Sequence, residues 1–259
     1  MKKIISCSLL GKKGRFGNSL FTYAALKGYA RSIGAEFQIP ADYIGRKIFE
    51  LDDPPITSKP STCVDLDYLY THNQLNEWIG NDGEAFTYGQ NQFWLNYYTK
   101  KDVLHWLKLK PVWVQWESDF KESNGNYSAI HVREGDYLLE PYRNWYCSIS
   151  GSSYARAIRE HAIPSPLLTI KENWIDPPKE MTELGIGFLA DFLILKGADH
   201  LLRANSSFSW WSGELSNGKV YAPIVADYVG VNDVIFIEGN WPNLAGKFKN
   251  QTDLHLKAS

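Results

Sequence analysis

Three polar clusters in this chain have the residue types and spacing to hold a charged ligand. The last, Ala204-Asn205-Ser206-Ser207-Phe208-Ser209-Trp210-Trp211, follows the apolar stretch His200-Leu201-Leu202-Arg203 and opens a segment, Phe208 to Leu215, able to coil as a helix. Asn205, Ser206 and Ser207 all suit a helix N-cap, and a helix start presents several backbone N–H groups beside the positive pole of its dipole. Phosphates and other anions bind at such ends. Capping alone also accounts for the serines, so this motif gains weight only from its companions.

The second cluster is His131-Val132-Arg133-Glu134-Gly135-Asp136-Tyr137, delivered by the strand-like run Tyr127-Ser128-Ala129-Ile130. Arginine suits a diphosphate because it keeps its charge and its planar fork grips two oxygens at once. A surface ion pair of Arg133 with Glu134 or Asp136 is the plainer alternative, and such pairs stabilise little. The third cluster is Gly11-Lys12-Lys13-Gly14-Arg15-Phe16-Gly17-Asn18, after the strand-like Ile4 to Leu10 and before a helical pattern from Leu20 through Ala24, Gly28 and Ile33. Its glycines let a backbone approach a ligand, and the Asn18 amide both donates and accepts. The spacing matches neither a P-loop nor G-x-G-x-x-G, which removes P-loop and dinucleotide-binding readings.

Each cluster therefore needs a strand and a turn, followed by a helix for the Gly11 to Asn18 and Ala204 to Trp211 clusters. In open α/β sheets, ligands sit at the carboxyl ends of the strands, where His131 and Arg133 would be aimed.

Together the segments resemble a known family. Gly14-Arg15-Phe16-Gly17-Asn18-Ser19-Leu20-Phe21-Thr22-Tyr23-Ala24 is similar to the G-x-x-G-N-Q-x-F-x-Y-A signature of the alpha-1,2-fucosyltransferases of glycosyltransferase family eleven; His131 to Tyr137 resembles their H-x-R-R-G-D-Y, and Ala204 to Trp211 their A-N-S-S-F-S-W-W, in the same order. Weaker similarity runs through Tyr88-Gly89-Gln90, Tyr97-Tyr98, Ser153 to Ile158 and Val220-Tyr221-Ala222-Pro223.

The resemblance implies an α/β, GT-B-like enzyme of two facing Rossmann-type domains with mainly parallel sheets: residues 1–120 on the acceptor side and 127–259 binding the nucleotide sugar. It implies inverting transfer of L-fucose from GDP-fucose to a glycan hydroxyl, with no metal and no cofactor beyond the donor. Carried over position by position, Arg133 resembles the diphosphate-gripping arginine, and His131 and Asp191 the histidine and aspartate near the nucleoside. Ser206, Ser207 and Phe208 would place the helix start against the β-phosphate, with Asn205 also on the donor-binding side. Asn18 resembles an asparagine facing the donor sugar, in a loop with Arg15 and Gly17. The acceptor hydroxyl needs a base; Glu140 and Asp136 are the candidates, each equally readable as an ordinary loop carboxylate.

The chemistry suits these residue types. Glycosyl transfer passes through an oxocarbenium-like state as negative charge builds on the departing diphosphate, and a fixed arginine with a helix amino end stabilises that charge where a divalent ion otherwise would. No His/Cys set with ligand spacing occurs.

Three places depart from the family pattern. Its second arginine is Glu134; its F-S-D-D-x-x-W stretch reads Leu168-Thr169-Ile170-Lys171-Glu172-Asn173-Trp174; and the glutamine after Asn18 is Ser19. These leave open another nucleotide-linked deoxyhexose such as rhamnose as donor, a different acceptor, or a non-catalytic carbohydrate-binding relative. The 10 tryptophans and 15 tyrosines would serve that last reading, because aromatic faces stack on sugars.

Composition bounds the rest. With 259 residues, 44% hydrophobic and 22% charged, the chain has the make-up of a soluble globular protein of one large or two small domains. A net charge of -2 and pI near 6.3 argue against nucleic-acid binding. No apolar run reaches the ~20 residues of a membrane span, and the start is read as a first strand rather than a signal peptide. With three scattered cysteines, this makes a cytoplasmic location the expectation. Pro111 to Trp116 reads as a strand, Lys121 to Asn126 as a linker, Tyr88 to Lys110 as one or two core-packed helices, and Phe188 to Lys196 as a helix.

Overall fold

The computed structural model describes residues 3–57, 62–140, 142–144, 146–171, 174–225 and 229–240, apart from the Asp136 side chain. The end of the expected second domain, residues 241–259, lies outside the described residues. The chain divides into two compact units, Met1–Pro111 and Val112–Ser259. This division falls ahead of the 120/127 boundary read from the sequence.

The first unit runs β1 (Ile4–Ser6), α1 (Phe16–Ser32), β2 (Glu36–Gln38), α2 (Gly45–Ile48), β3 (Val64–Asp65), α3 (Leu66–Thr71), α4 (Leu75–Trp78), β4 (Gly83–Phe86), α5 (Gln92–Leu95) and α6 (Lys100–Trp106). Its sheet has the order β2-β1-β4-β3, with every pairing parallel. β1 stops at Ser6, short of the expected Leu10, because the chain turns there: the Leu10 amide donates to the Cys7 carbonyl at 3.2 Å. α1 begins one turn earlier than its apolar pattern implied and is buried along most of its length. Gly28 explains part of that: a Cβ there would lie 2.6 Å from the Tyr97 carbonyl oxygen, so only glycine lets α1 pack against this segment. Tyr29, Trp94 and Tyr97 close that side with ring centroids 5.6–6.3 Å apart around Tyr29, as expected for helices over Tyr88 to Lys110.

The second unit runs α7 (Pro111–Asn124), β5 (Ser128–His131), two 3₁₀ turns (Gly135–Leu138 and Tyr142–Asn144), β6 (Cys147–Ile149), α8 (Gly151–Glu160), β7 (Leu167–Ile170), α9 (Lys179–Glu183), α10 (Leu189–Gly197), β8 (His200–Leu202), α11 (Ser207–Glu214), β9 (Lys219–Pro223), β10 (Gly230–Asn232) and β11 (Phe236–Glu238). The main sheet has the order β11-β9-β8-β5-β7, parallel except for the β11–β9 pair, and β6 pairs with β10 separately.

α7 corrects the strand read over Pro111 to Trp116. The apolar residues that mimic alternation do not share one buried face, since Val112 and Val114 are exposed while Trp113 is buried. Trp116 and Phe120, four apart, pack on the core of Tyr127, Ile194 and Leu201, and Pro111 suits a first helical turn. Lys121 to Asn124, expected as linker, is the end of this helix. Gly125 follows at φ +69°, a conformation that stops a helix at little cost when the residue is glycine. Two ion pairs fix α7 to the second unit, Lys196–Glu117 at 2.8 Å and Lys121–Asp199 at 2.7 Å.

Candidate active site

Chain order puts β7 and β8 on opposite sides of β5, so connections leave the carboxyl ends there in opposite directions, the position where open α/β sheets bind ligands. The Arg133 loop leaves the end of β5 and the serine turn leaves the end of β8. Because these strands are parallel neighbours in register, Ile130 opposite Leu202, the two motifs emerge side by side.

The contacts carry that further. The His131 and Phe208 rings have centroids 5.8 Å apart. The Arg133 guanidinium lies over the Tyr137 ring, 4.9 Å from its centre, and the Tyr137 hydroxyl donates to the Asn205 carbonyl oxygen at 3.2 Å. Asn205 is buried and its side-chain amide reaches the Cys147 carbonyl at 3.5 Å.

At the helix start, Ser206 is the N-cap of α11, and its hydroxyl oxygen accepts from the Phe208 amide at 3.3 Å. The capping role open from the sequence is therefore real for Ser206, and the Phe208 amide is taken by it. Ser207 is the first helical residue, and the positive pole of α11 stands at the end of β8. The Phe208 ring packs on Phe188, Phe192 and His131, anchoring the turn.

His131 is 5% exposed, and its Nδ1 makes no hydrogen bond among the described residues. Its carbonyl oxygen accepts from the Tyr154 hydroxyl at 2.8 Å. Burial lowers the ring's pKa from 6.5 to about 4, so the imidazole is neutral at pH 7 and one nitrogen is a hydrogen-bond acceptor or donor without charge. Asp191, in the first turn of α10, is buried and accepts from the Trp174 amide at 3.3 Å.

Two of the sequence departures meet each other. Lys171, just past β7, binds Glu134, just past β5, at 2.8 Å. The negative charge at 134 is thus matched by a cation one strand away and does not stand alone beside Arg133.

The remaining expected residues lie elsewhere. Glu140 is on an exposed turn, its carboxylate bound by Arg143 at 3.2 Å and by the Asn144 side chain. The Asp136 backbone belongs to the 3₁₀ turn Gly135–Leu138, while its side chain lies outside the described residues. Asn18, Arg15 and Gly17 belong to the first unit. Arg15 is the N-cap position of α1, Gly17 is buried in the helix's first turn, and the Asn18 side-chain oxygen accepts from Gln90 at 2.8 Å. Gly14 sits at φ +75°, where an added Cβ would meet Asn18 Nδ2 at 2.7 Å, so that glycine serves the placement of Asn18.

Sequence reasoning passed over Tyr137, Tyr154 and Arg203. Arg203 is fully buried at the end of β8; burial brings its pKa down to about 9 and Glu214 opposes that, so it stays charged at neutral pH. Its signal was a cation ending an apolar run.

No family model matches the chain. It is 22% identical over 275 residues to galactoside alpha-(1,2)-fucosyltransferase 1 of Gorilla gorilla gorilla, spanning 85% of this chain and 73% of that enzyme. Its fold matches that of NodZ alpha-1,6-fucosyltransferase soaked with GDP-fucose, with TM-score 0.56 and 14% identity over 92% of this chain and all of that one. A selenomethionine form of NodZ from Bradyrhizobium matches with TM-score 0.54 and 12% identity, over 92% and 99% of the two chains. Among the described residues no helix is long and apolar enough to cross a membrane. With its mainly parallel α/β architecture of GT-B type, its motif order and this sequence match, the chain is similar to the fucosyltransferases.

Proposed function

We propose that this glycosyltransferase moves L-fucose from GDP-fucose to a hydroxyl of a glycan acceptor, with inversion at the anomeric carbon and without a metal ion. The observation that carries this reading is the adjacency of the Arg133 loop and the start of α11 at the ends of neighbouring parallel strands. A fixed guanidinium and a helix pole on one crevice suit a diphosphate whose negative charge grows as the sugar–oxygen bond breaks, the role a divalent ion fills elsewhere. The NodZ structure soaked with GDP-fucose supports the choice of donor.

In this proposal Arg133 and the α11 amino end hold the diphosphate, neutral His131 and Asp191 face the nucleoside, and Asn205 with Ser206 shapes the turn. Glu140 takes the acceptor proton, which requires Arg143 and Asn144 to release it. Asn18, with Arg15 and Gly17, is assigned to the donor sugar by motif alone. Lys171 offsets Glu134, so the departure at 134 does not by itself disfavour an anionic donor.

The test is a donor screen, by calorimetry and product release, with GDP-, UDP- and dTDP-sugars in excess EDTA and a panel of glycans. Selective turnover of GDP-fucose is expected, with Arg133→Ala weakening GDP-fucose by about 10- to 100-fold, as for a lost charge-assisted hydrogen-bond partner. Preference for a UDP- or dTDP-sugar refutes the donor assignment.

A further inference from the structure

The Arg133 guanidinium rests on an aromatic ring, and that ring belongs to a residue which also touches the serine turn. We propose that Tyr137 is a positioning residue: it sets the Arg133 guanidinium relative to the start of α11, so that two anion-binding elements from different strands act as one. This rests on the donor reading above.

Three contacts converge on the one side chain. Its ring lies under Arg133 at 4.9 Å. The same ring stacks on Tyr146 at 4.6 Å and 10°, and Tyr146 in turn stacks on Tyr142 at 6.1 Å and 25°. Its hydroxyl donates to the carbonyl of Asn205, the residue immediately before the Ser206 N-cap. A ring so gripped cannot tilt without disturbing either the guanidinium or the peptide leading into α11.

A free arginine side chain carries large rotamer entropy, and a ligand that must order it binds less tightly. A cation resting on a ring face is partly ordered before the ligand arrives. Tyrosine meets both needs, since phenylalanine lacks the hydroxyl that ties the ring to Asn205 and leucine lacks the face.

The test measures GDP binding to the full chain by calorimetry for the unaltered protein, Tyr137→Phe, Tyr137→Leu, Arg133→Ala and the Tyr137→Leu/Arg133→Ala double variant, with folding checked by thermal melting. Tyr137→Phe is expected to lose about two- to fivefold in affinity with the hydroxyl, and Tyr137→Leu about three- to thirtyfold with the cation–ring contact. The double variant should bind no worse than Arg133→Ala alone, because Tyr137 acts through that guanidinium. Losses that simply multiply would overturn the assignment while leaving the donor reading intact. No GDP binding by the unaltered protein would overturn the donor reading itself. Should Tyr137→Leu fail to fold, the same comparison is made with Tyr137→Phe, whose hydroxyl loss must also shrink in the Arg133→Ala background.

Discussion

Acidification should destabilise this protein through His131. The ring ends β5, is buried against Phe208, and has no hydrogen-bond partner for Nδ1 among the described residues, so protonation places an uncompensated charge in the sheet's end. Its folded pKa is about 4 against 6.5 when exposed. For a histidine depressed in this way the stabilisation is complete above pH 6.5 and is lost as pH falls toward 4, because in that window the unfolded chain binds the proton and the folded one does not. Each unit of pKa is worth 1.36 kcal/mol, so the loss is about 2 kcal/mol at pH 5 and about 3 kcal/mol below pH 4. That is a large part of a typical stability of about 5–15 kcal/mol. Urea unfolding at pH 7 and pH 5, followed by tryptophan fluorescence, measures the total effect. Comparison with His131→Leu removes what carboxylates contribute, since only the wild-type chain carries this proton. Equal pH dependence in the two proteins would refute the argument, as would an NMR titration placing the His131 ring above pH 6.

Three other perturbations test separate links. Gly28→Ala drives a methyl group to 2.6 Å from the Tyr97 carbonyl oxygen and should destabilise the protein by about 1–3 kcal/mol in chemical unfolding; an unchanged midpoint would mean that α1 can shift freely. Lys171→Ala leaves Glu134 uncompensated beside Arg133 and should weaken GDP binding severalfold at low salt, whereas Glu134→Lys/Lys171→Glu should restore it; since both side chains are about half exposed, stability should change by under about 1 kcal/mol in either variant. Glu140→Gln should lower kcat by about 100-fold with GDP affinity unchanged; an unaltered kcat would remove Glu140 as the base.

The three motif regions were legible because each is a strand running into a local turn, two of them continuing into a helix, with the capping and glycine residues neighbours in sequence. Pro111 to Trp116 misled because Val112, Val114 and the tryptophans imitate alternation, while burial follows a helix face against the second unit that only the tertiary structure defines. The Glu134–Lys171 pair could not be read either: the partners are 37 residues apart and meet only because β5 and β7 lie in register. Tyr137 belongs to a recognisable motif, yet its role depends on Asn205, 68 positions away.

Arg203 bears on how β8 can align at all. Its backbone amide donates to the Tyr221 carbonyl at 3.1 Å, continuing the ladder, while its side chain is wholly enclosed and drawn electrostatically to Glu214. A shift of one residue along β5 or β9 would turn every side chain of the strand over and part this cation from its anion, in surroundings where a lone charge is heavily penalised. Leucines alone would accept either alignment with modest loss. A charge sealed into the strand end thus works as a keyway, admitting a single threading of β8 and thereby dictating where the residues after it begin to coil.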